Sequence, residues 1–283
     1  MNQYNLSVQE LKKKANKLRQ ATLDIIMYGG SGHIGGDFSE ADFLTALYYK
    51  FLNMSPELQH NPDRDRFILS KGHSVEMLYA ILADQGYISA ESLKTYQQFL
   101  SPYNGHPNNK VPGIEMNTGS LGHGLALGVG IALAGKMDGR TYHTFVVMGD
   151  GETDEGSIWE AAQAGAHYKL SNLIGILDRN DLQISGPTEV VMAHRDINAK
   201  YAAFGWRVID IKNANDMEQV CKALAEAIIP DKEERPTIII AHTIKGFGAG
   251  PLAENKANWH HHVPTKEEYA EIMSRLKACE ANE

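Results

Sequence analysis

Cysteine is nearly missing from this chain: Cys221 and Cys279 are the only two in 283 residues, far apart and without CxxC spacing. That excludes a disulfide framework and a thiolate zinc site, and two free thiols on helix-like segments predict a reducing, cytoplasmic setting. Long apolar runs are lacking too. The longest, residues 125–135, is too short and too glycine-rich to span a bilayer, so no membrane association is expected. Residues 7–27 are amphipathic, without the apolar core of a signal peptide. Basic charge is in the minority, with 27 Lys and Arg against 35 Asp and Glu, a net charge of −8. Beyond Lys12-Lys13-Lys14, which reads as a solvated helix face, there is no basic stripe, and a nucleic-acid surface is not expected. Internal repeats and low-complexity linkers are also missing. The remaining composition, 43% hydrophobic and 22% charged, is that of a globular protein with ample material for a full core.

What is present is an alternation of strands and helices. Ser7-Val8-Gln9-Glu10 is a capping box that opens a helix carrying Leu11, Leu18, Leu23 and Ile26 and ending near Gly29. Helices are predicted over 41–52, 74–85, 89–100 and 122–136, with a short buried strand at 67–69. From there the pattern is strand 143–148, helix 155–167, strand 173–177, a loop with a short helix, strand 206–211, helix 216–228 and strand 237–242. Such alternation means parallel strands with crossover helices, hence an α/β, doubly wound, mostly parallel sheet covered on both faces. A single domain over 1–283 is expected, with mobile loops at 185–188 and 245–250 and a tail after Gly246 that reads as a flexible flap.

The chemistry concentrates where two of these strands end. The run His143 to Met148 leads directly into Gly149-Asp150-Gly151-Glu152-Thr153-Asp154-Glu155-Gly156. The run Leu173 to Leu177 leads into Asp178-Arg179-Asn180-Asp181-Leu182-Gln183. In an open α/β sheet the carboxyl ends of strands are where ligands bind. One carboxylate and one carboxamide on the same rim supply oxygen ligands suited to Mg2+ holding a diphosphate. The flanking glycines let the backbone approach phosphate oxygens. An isolated Gly-Asp-Gly is an ordinary turn; the strand before it, the helix after it and Asn180 at the next strand end make it a thiamine diphosphate signature.

Twelve histidines are present. His33, in Ser31-Gly32-His33-Ile34-Gly35-Gly36, His73, in Ser70-Lys71-Gly72-His73-Ser74, His106, in Asn104-Gly105-His106-Pro107, and His260, in Trp259-His260-His261-His262, all lie in loops where a polar side chain can project into a cleft. Taken singly, each is better explained as a hydrogen-bonded structural residue. His60, His143, His167 and His194 lack such a setting and read as structural or surface residues. The His260–His262 run is a poor metal site, because consecutive residues of an extended chain diverge.

Together with Thr118-Gly119-Ser120-Leu121-Gly122, these segments stand in the order and approximate spacing of transketolases, and the resemblance runs from about residue 10 to residue 270. The chain resembles the N-terminal, diphosphate-binding subunit of a split transketolase. That resemblance implies that Asp150, Asn180 and the Leu182 carbonyl bind Mg2+. It implies that Gly149, Gly151, His73 and His260 hold the diphosphate of thiamine diphosphate, that Gly119 and Leu121 line the thiamine pocket, and that Asp178 lies near the thiazolium. His33, His106 and His260 would hydrogen-bond sugar hydroxyls and, with His73, serve the proton transfers. Glu155 and Glu160 resemble the acidic residues that link two active sites across a subunit interface. Ile34, where Pro is frequent, Ser120 and His123, in place of Pro and Gln, and His261, in place of Gly, depart from the family and bear on the sugar.

In this family the aminopyrimidine is activated by a glutamate on a separate pyrimidine-binding domain, for which no segment is seen here. The expected partner is therefore a C-terminal transketolase subunit, in an α2β2 assembly acting on sugars or sugar phosphates. Two other readings share parts of the pattern: the α-subunit of a 2-oxo acid dehydrogenase decarboxylase, and a non-catalytic cofactor-binding regulatory subunit.

Overall fold

A computed structural model describes residues 4–282. Among them five strands form one parallel sheet: β1 (Arg66–Leu69), β2 (Thr144–Gly149), β3 (Leu173–Arg179), β6 (Arg207–Ile211) and β7 (Thr237–His242), in the spatial order β1-β2-β3-β7-β6. The small β4 (Leu182–Gln183) and β5 (Gly186–Pro187) form a separate antiparallel hairpin. The helices are α1 (Val8–Gly29), α2 (Ile34–Ala46), α3 (Val75–Asp84), α4 (Gly124–Met137), α5 (Gly156–His167), α6 (Thr188–Val191), α7 (Ile197–Ala203), α8 (Met217–Ala227) and α9 (Lys266–Asn282). None of the helices among the described residues is long and apolar enough to cross a membrane.

The near-continuous apolar strands follow from burial on both faces. Side chains alternate along each strand, so Phe145, Val147, Ile174, Ile176 and Ile239 join one core with α1, α2, α3 and α8. Val146, Met148, Leu173, Leu177, Ile238 and Ile240 join a second core with α4, α5 and α7. The strand register aligns Gly149 with Asp178 and Asp178 with Ala241, which brings the carboxyl ends of β2, β3 and β7 to one rim.

The capping box at Ser7 and Glu10 forms in both directions. Two other helices differ from expectation. α2 starts at Ile34, seven residues earlier than the apolar pattern indicates, despite Gly35 and Gly36 in its first turn. Glycine weakens a helix by roughly 1 kcal/mol, but every residue of α2 is buried, and a Cβ on Gly35 would come within 2.9 Å of the Trp259 carbonyl. Packing therefore outweighs propensity there. Conversely the helix expected over 89–100 is only a 3-10 stretch, Ala90–Thr95, because Gln97 and Leu100 take positive φ and nearly the whole segment faces solvent. β3 runs two residues longer than expected, which takes Asp178 into the sheet.

The segment after Gly246, expected to be a flap, is packed in this structure. The Gly246 amide donates to the Gly35 carbonyl at 2.9 Å, and Ala249, Ala253 and Trp259 are buried. Ile272, Met273 and Leu276 of α9 close a third cluster with Leu23 and Ile26 of α1.

The small residues of α4 allow it to lie close on the sheet: a Cβ on Gly128 would stand 2.4 Å from Cγ2 of Val146. Val146 is β-branched and held in a strand, so it has little room to move. Gly128→Val is expected to lower stability by about 1–3 kcal/mol through overpacking, read as a lower urea midpoint with an unchanged slope.

Candidate functional site

A cavity of about 390 Å³ opens at the carboxyl ends of β1, β2 and β3. Asp150, Asn180 and Leu182 line it together with His33, His73, His106 and His260 and with Gly119, Leu121, Gly149 and Gly151. The structure thus brings together residues spread from position 33 to position 260.

Asp150 and Asn180 are held by bonds from their own turns and, for Asp150, from α6. The Asp150 carboxylate accepts from the Gly151 amide at 2.8 Å and from the Thr188 hydroxyl at 3.2 Å. The Asn180 Oδ1 accepts from the Leu182 amide at 3.2 Å, and its Nδ2 donates to Asp178 at 3.3 Å, which orients the oxygen outward from the sheet. Burial, with Asp178 nearby, pushes Asp150 up to about 6 even though the Gly151 amide, Lys245 and the Thr188 hydroxyl favour its charged form. Close approach is built in as well: a Cβ on Gly119, whose φ is +137°, would lie 2.6 Å from the His106 ring.

The histidine side is a contact cluster of imidazoles. The His33 ring lies 5.1 Å from that of His73, 5.4 Å from His260 and 4.6 Å from His261, and His73 lies 5.0 Å from His260. Burial lowers all four cavity histidines, His33 to about 4 and His260 to about 3, with neighbouring imidazoles or lysines adding to the effect for His33, His73 and His260. Neutral imidazoles carry one donor and one acceptor nitrogen each, a set matched to hydroxyl groups. The His260–His262 run does diverge, since His262 turns away to Glu268 at 2.9 Å. His194, read from sequence as structural or surface, is buried and bonds Asp154 at 2.9 Å and Thr153 at 3.2 Å, pinning the turn after Asp150.

Three expected residues stand outside the cavity lining. Asp178 is fully buried beneath the cavity floor, bonded to Lys71, Ser39 and Thr243. Burial alone would raise it, but the Lys71 ammonium with the Thr243 and Ser39 hydroxyls outweighs that and holds it below the usual carboxylate range. Glu155 is exposed beside Gly122, and Glu160 is exposed on α5.

Sequence reading missed two lysines and a glutamate. Lys71 is buried and pairs with Asp178 at 2.6 Å and Glu40 at 2.9 Å. Lys245 donates to the Leu182 carbonyl at 2.9 Å and lies 3.0 Å from His260 Nδ1; burial lowers it to about 8 against the pull of Asp150 and Asp178. Glu152 accepts from the Gly122 and Gly149 amides at 2.9 and 3.1 Å and from the Ser70 hydroxyl, tying three loops of the rim. Lys71 and Glu152 stand inside the Ser-Lys-Gly-His and Gly-Asp-Gly-Glu segments, and that placement was the available signal.

The buried imidazoles link stability to acid. A histidine with a lowered folded-state pKa stabilises above its unfolded value of about 6.5, and that contribution is lost as pH falls toward the folded value. Relative to the wild type, His33→Asn is expected to gain melting temperature as pH falls from 6.5 to 4; a constant difference between the two proteins would contradict the burial of a neutral ring.

Comparison with known proteins agrees with this arrangement. The family described as "Transketolase, thiamine diphosphate binding domain" matches residues 10–278. One of the subunits of the apulose-4-phosphate transketolase of Phocaeicola vulgatus is 47% identical over 271 residues, spanning 96% of this chain and 95% of that protein. The 6-deoxy-6-sulfo-D-fructose transketolase subunit SqwG of a Clostridium species is 37% identical over 269 residues, spanning 95% and 96% of the two chains. The solved transketolase of Campylobacter jejuni superposes with a TM-score of 0.89 at 30% identity, covering 98% of this chain but 46% of that one. The chain therefore belongs to the transketolase family and carries its thiamine diphosphate binding domain.

Proposed function

We propose that this chain binds Mg2+ and the diphosphate of its cofactor through the cavity at the strand ends, and completes its active site with a pyrimidine-binding partner chain in an α2β2 assembly. The observation that carries the reading is the convergence of Asp150, Asn180 and Leu182, from two strand ends and the β4 hairpin, on one cavity that four neutral histidines also line. The wall fits the group. Its oxygens are the hard ligands Mg2+ takes, its one carboxylate is buried without a paired cation at hydrogen-bond distance, and the backbone around Gly149 and Gly151 carries no side chain to block a phosphate.

Thiamine diphosphate supplies the carbanion chemistry that lets the C–C bond of a ketose break and a two-carbon ketol unit pass to an aldose. Everything else falls to protein groups. Asp150, Asn180 and Leu182 would hold the metal, and His73, His260 and Lys245 would meet the diphosphate oxygens. Gly119 and Leu121 would line the thiamine pocket. His33, His106 and His260 would bind sugar hydroxyls, and a neutral imidazole can take a proton on one nitrogen while donating from the other. Ketoses and aldoses, free or phosphorylated, are the proposed substrates; a wall of hydrogen-bonding rings suits polyhydroxylated chains better than the small apolar groups of 2-oxo acids.

The test is two-carbon transfer measured with this chain, its partner chain, Mg2+ and thiamine diphosphate. Asp150→Ala is expected to weaken cofactor retention by at least about 100-fold, beyond the 10–100-fold seen for groups outside the metal's direct ligands; calorimetry showing unchanged affinity would refute the metal assignment. His106→Ala should instead slow ketol transfer with cofactor affinity near normal, and equal loss of both would remove His106 from the sugar side.

A further inference from the structure

Two carboxyl groups lie face to face in the core directly behind the histidine wall, and the proposed function uses neither. Asp37 sits in the first turn of α2 and Glu76 in the first turn of α3, both with no solvent exposure. The Met77 amide, next to Glu76 in the chain, donates to Asp37 Oδ1, which sets the two carboxyls side by side. Asp37 Oδ2 and Glu76 Oε2 have no donor. Two buried carboxylates cannot bond each other without a proton, and a single shared proton satisfies both oxygens. The remaining oxygens are committed. Asp37 Oδ1 accepts from the Met77 amide at 2.9 Å, serving as the cap that Ser74 does not supply to α3. Glu76 Oε1 accepts from the Tyr96 hydroxyl.

We propose that Asp37 and Glu76 share one proton and act as positioning residues, a clasp between two helix N-termini that sets the spacing of His33, His73 and His106. The connections are short. His33 is the residue immediately before α2, and His73 lies in the turn immediately before α3. The His33 loop rests on the clasp, since a Cβ on Gly32 would meet Glu76 Oε1 at 2.9 Å. Tyr96, bonded to Glu76, packs against Gly29, and its hydroxyl stands 3.5 Å from where a Cβ on Gly105 would be, next to His106. Tyr79, from α3, donates to the Asn104 carbonyl at 3.0 Å in the same loop. The rings of His33, His73 and His106 thus share one support.

The clasp is sensitive to pH by construction. Burial, then the other carboxyl, raises Asp37; burial raises Glu76 to about 7. The charged or titratable groups facing the pair are Glu40 on α2, Lys71 ahead of α3, Tyr79 on α3 and Tyr96. An acid whose folded pKa is raised stabilises fully below its unfolded value of about 4 and loses that contribution as pH rises through the folded value. The shared proton, and the stability it supplies, is therefore lost as pH rises through the raised value of Asp37. Glu40, raised to about 8 by burial and in part by Asp37, adds to the same slope.

The role assigned to the clasp rests on the proposed function of the histidines, whereas its proton does not, and the experiment separates the two. Melting temperatures of the full chain are measured from pH 6 to 9 for the wild type, Asp37→Asn and Glu76→Gln. An amide keeps its N–H at every pH, so both variants should lose most of the alkaline fall; a fall as steep as that of the wild type would overturn the shared proton. In the assembly with the partner chain, Asp37→Leu should raise KM for the ketose at least about tenfold with a smaller change in kcat, since misplaced groups weaken productive binding. Asp37→Asn should restore KM. If Asp37→Leu left KM unchanged, or Asp37→Asn failed to restore it, the positioning role would be overturned. Should His33→Ala and His106→Ala both leave transfer intact while the amide variants flatten the melting profile, the function assigned to the histidines fails and the shared proton stands.

Discussion

The site rests on a buried ammonium. Lys71 leaves the end of β1 and places its Nζ between Asp178 of β3 and Glu40 of α2, with the Gly36 carbonyl at 3.1 Å as a further acceptor. Those contacts join the strand that leads to Asn180, the helix that follows His33 and the turn that carries His73. An ion pair of this kind contributes little net stability compared with well-packed apolar groups, but breaking one by removing a partner costs about 3–5 kcal/mol because a charge is stranded. Here two carboxyls would be stranded together. The arrangement exchanges stability for geometry: it fixes where three chain segments enter the cavity.

Around that anchor the polar groups form layers. Nearest the cavity are the oxygens of Asp150, Asn180 and Leu182 and the four imidazoles. Below them lie Asp178, Lys71 and Glu40, and beside these the Asp37 and Glu76 pair. Such a density of buried acids would be costly without partners. Nearly every one is satisfied across elements rather than within its own turn, so the network knits α2, α3, β3 and the loop before β2 into one body.

How far the sequence foretold this follows from the range of each signal. The parallel sheet was legible because apolar runs that end in glycine and acid carry their own boundaries. Asp150 and Asn180 were legible because adjacent strands deliver them to one rim. The four loop histidines were legible as polar residues in small-residue loops. α2 was misread at its start because two glycines argue locally against a helix that distant contacts from Trp259 and Lys245 support. The lysines were missed for a related reason: nothing near Lys71 or Lys245 in the chain hints at a partner more than 60 positions away. Asp37 and Glu76 were invisible for the same reason, since helix periodicity alone marks neither as buried against the other.

Leu182 illustrates a different kind of coding. What it presents to the cavity wall is a main-chain oxygen, placed there by the β4 hairpin and by the bond from its own amide to Asn180. Any residue able to hold that hairpin would supply the same atom. Substitution by alanine would leave the oxygen in place, so a scan of side chains would pass over position 182, and relatives are free to differ there while keeping the contact. The identity that matters at this position is carried by its neighbours, Asn180 and the turn at Gly186, rather than by leucine itself.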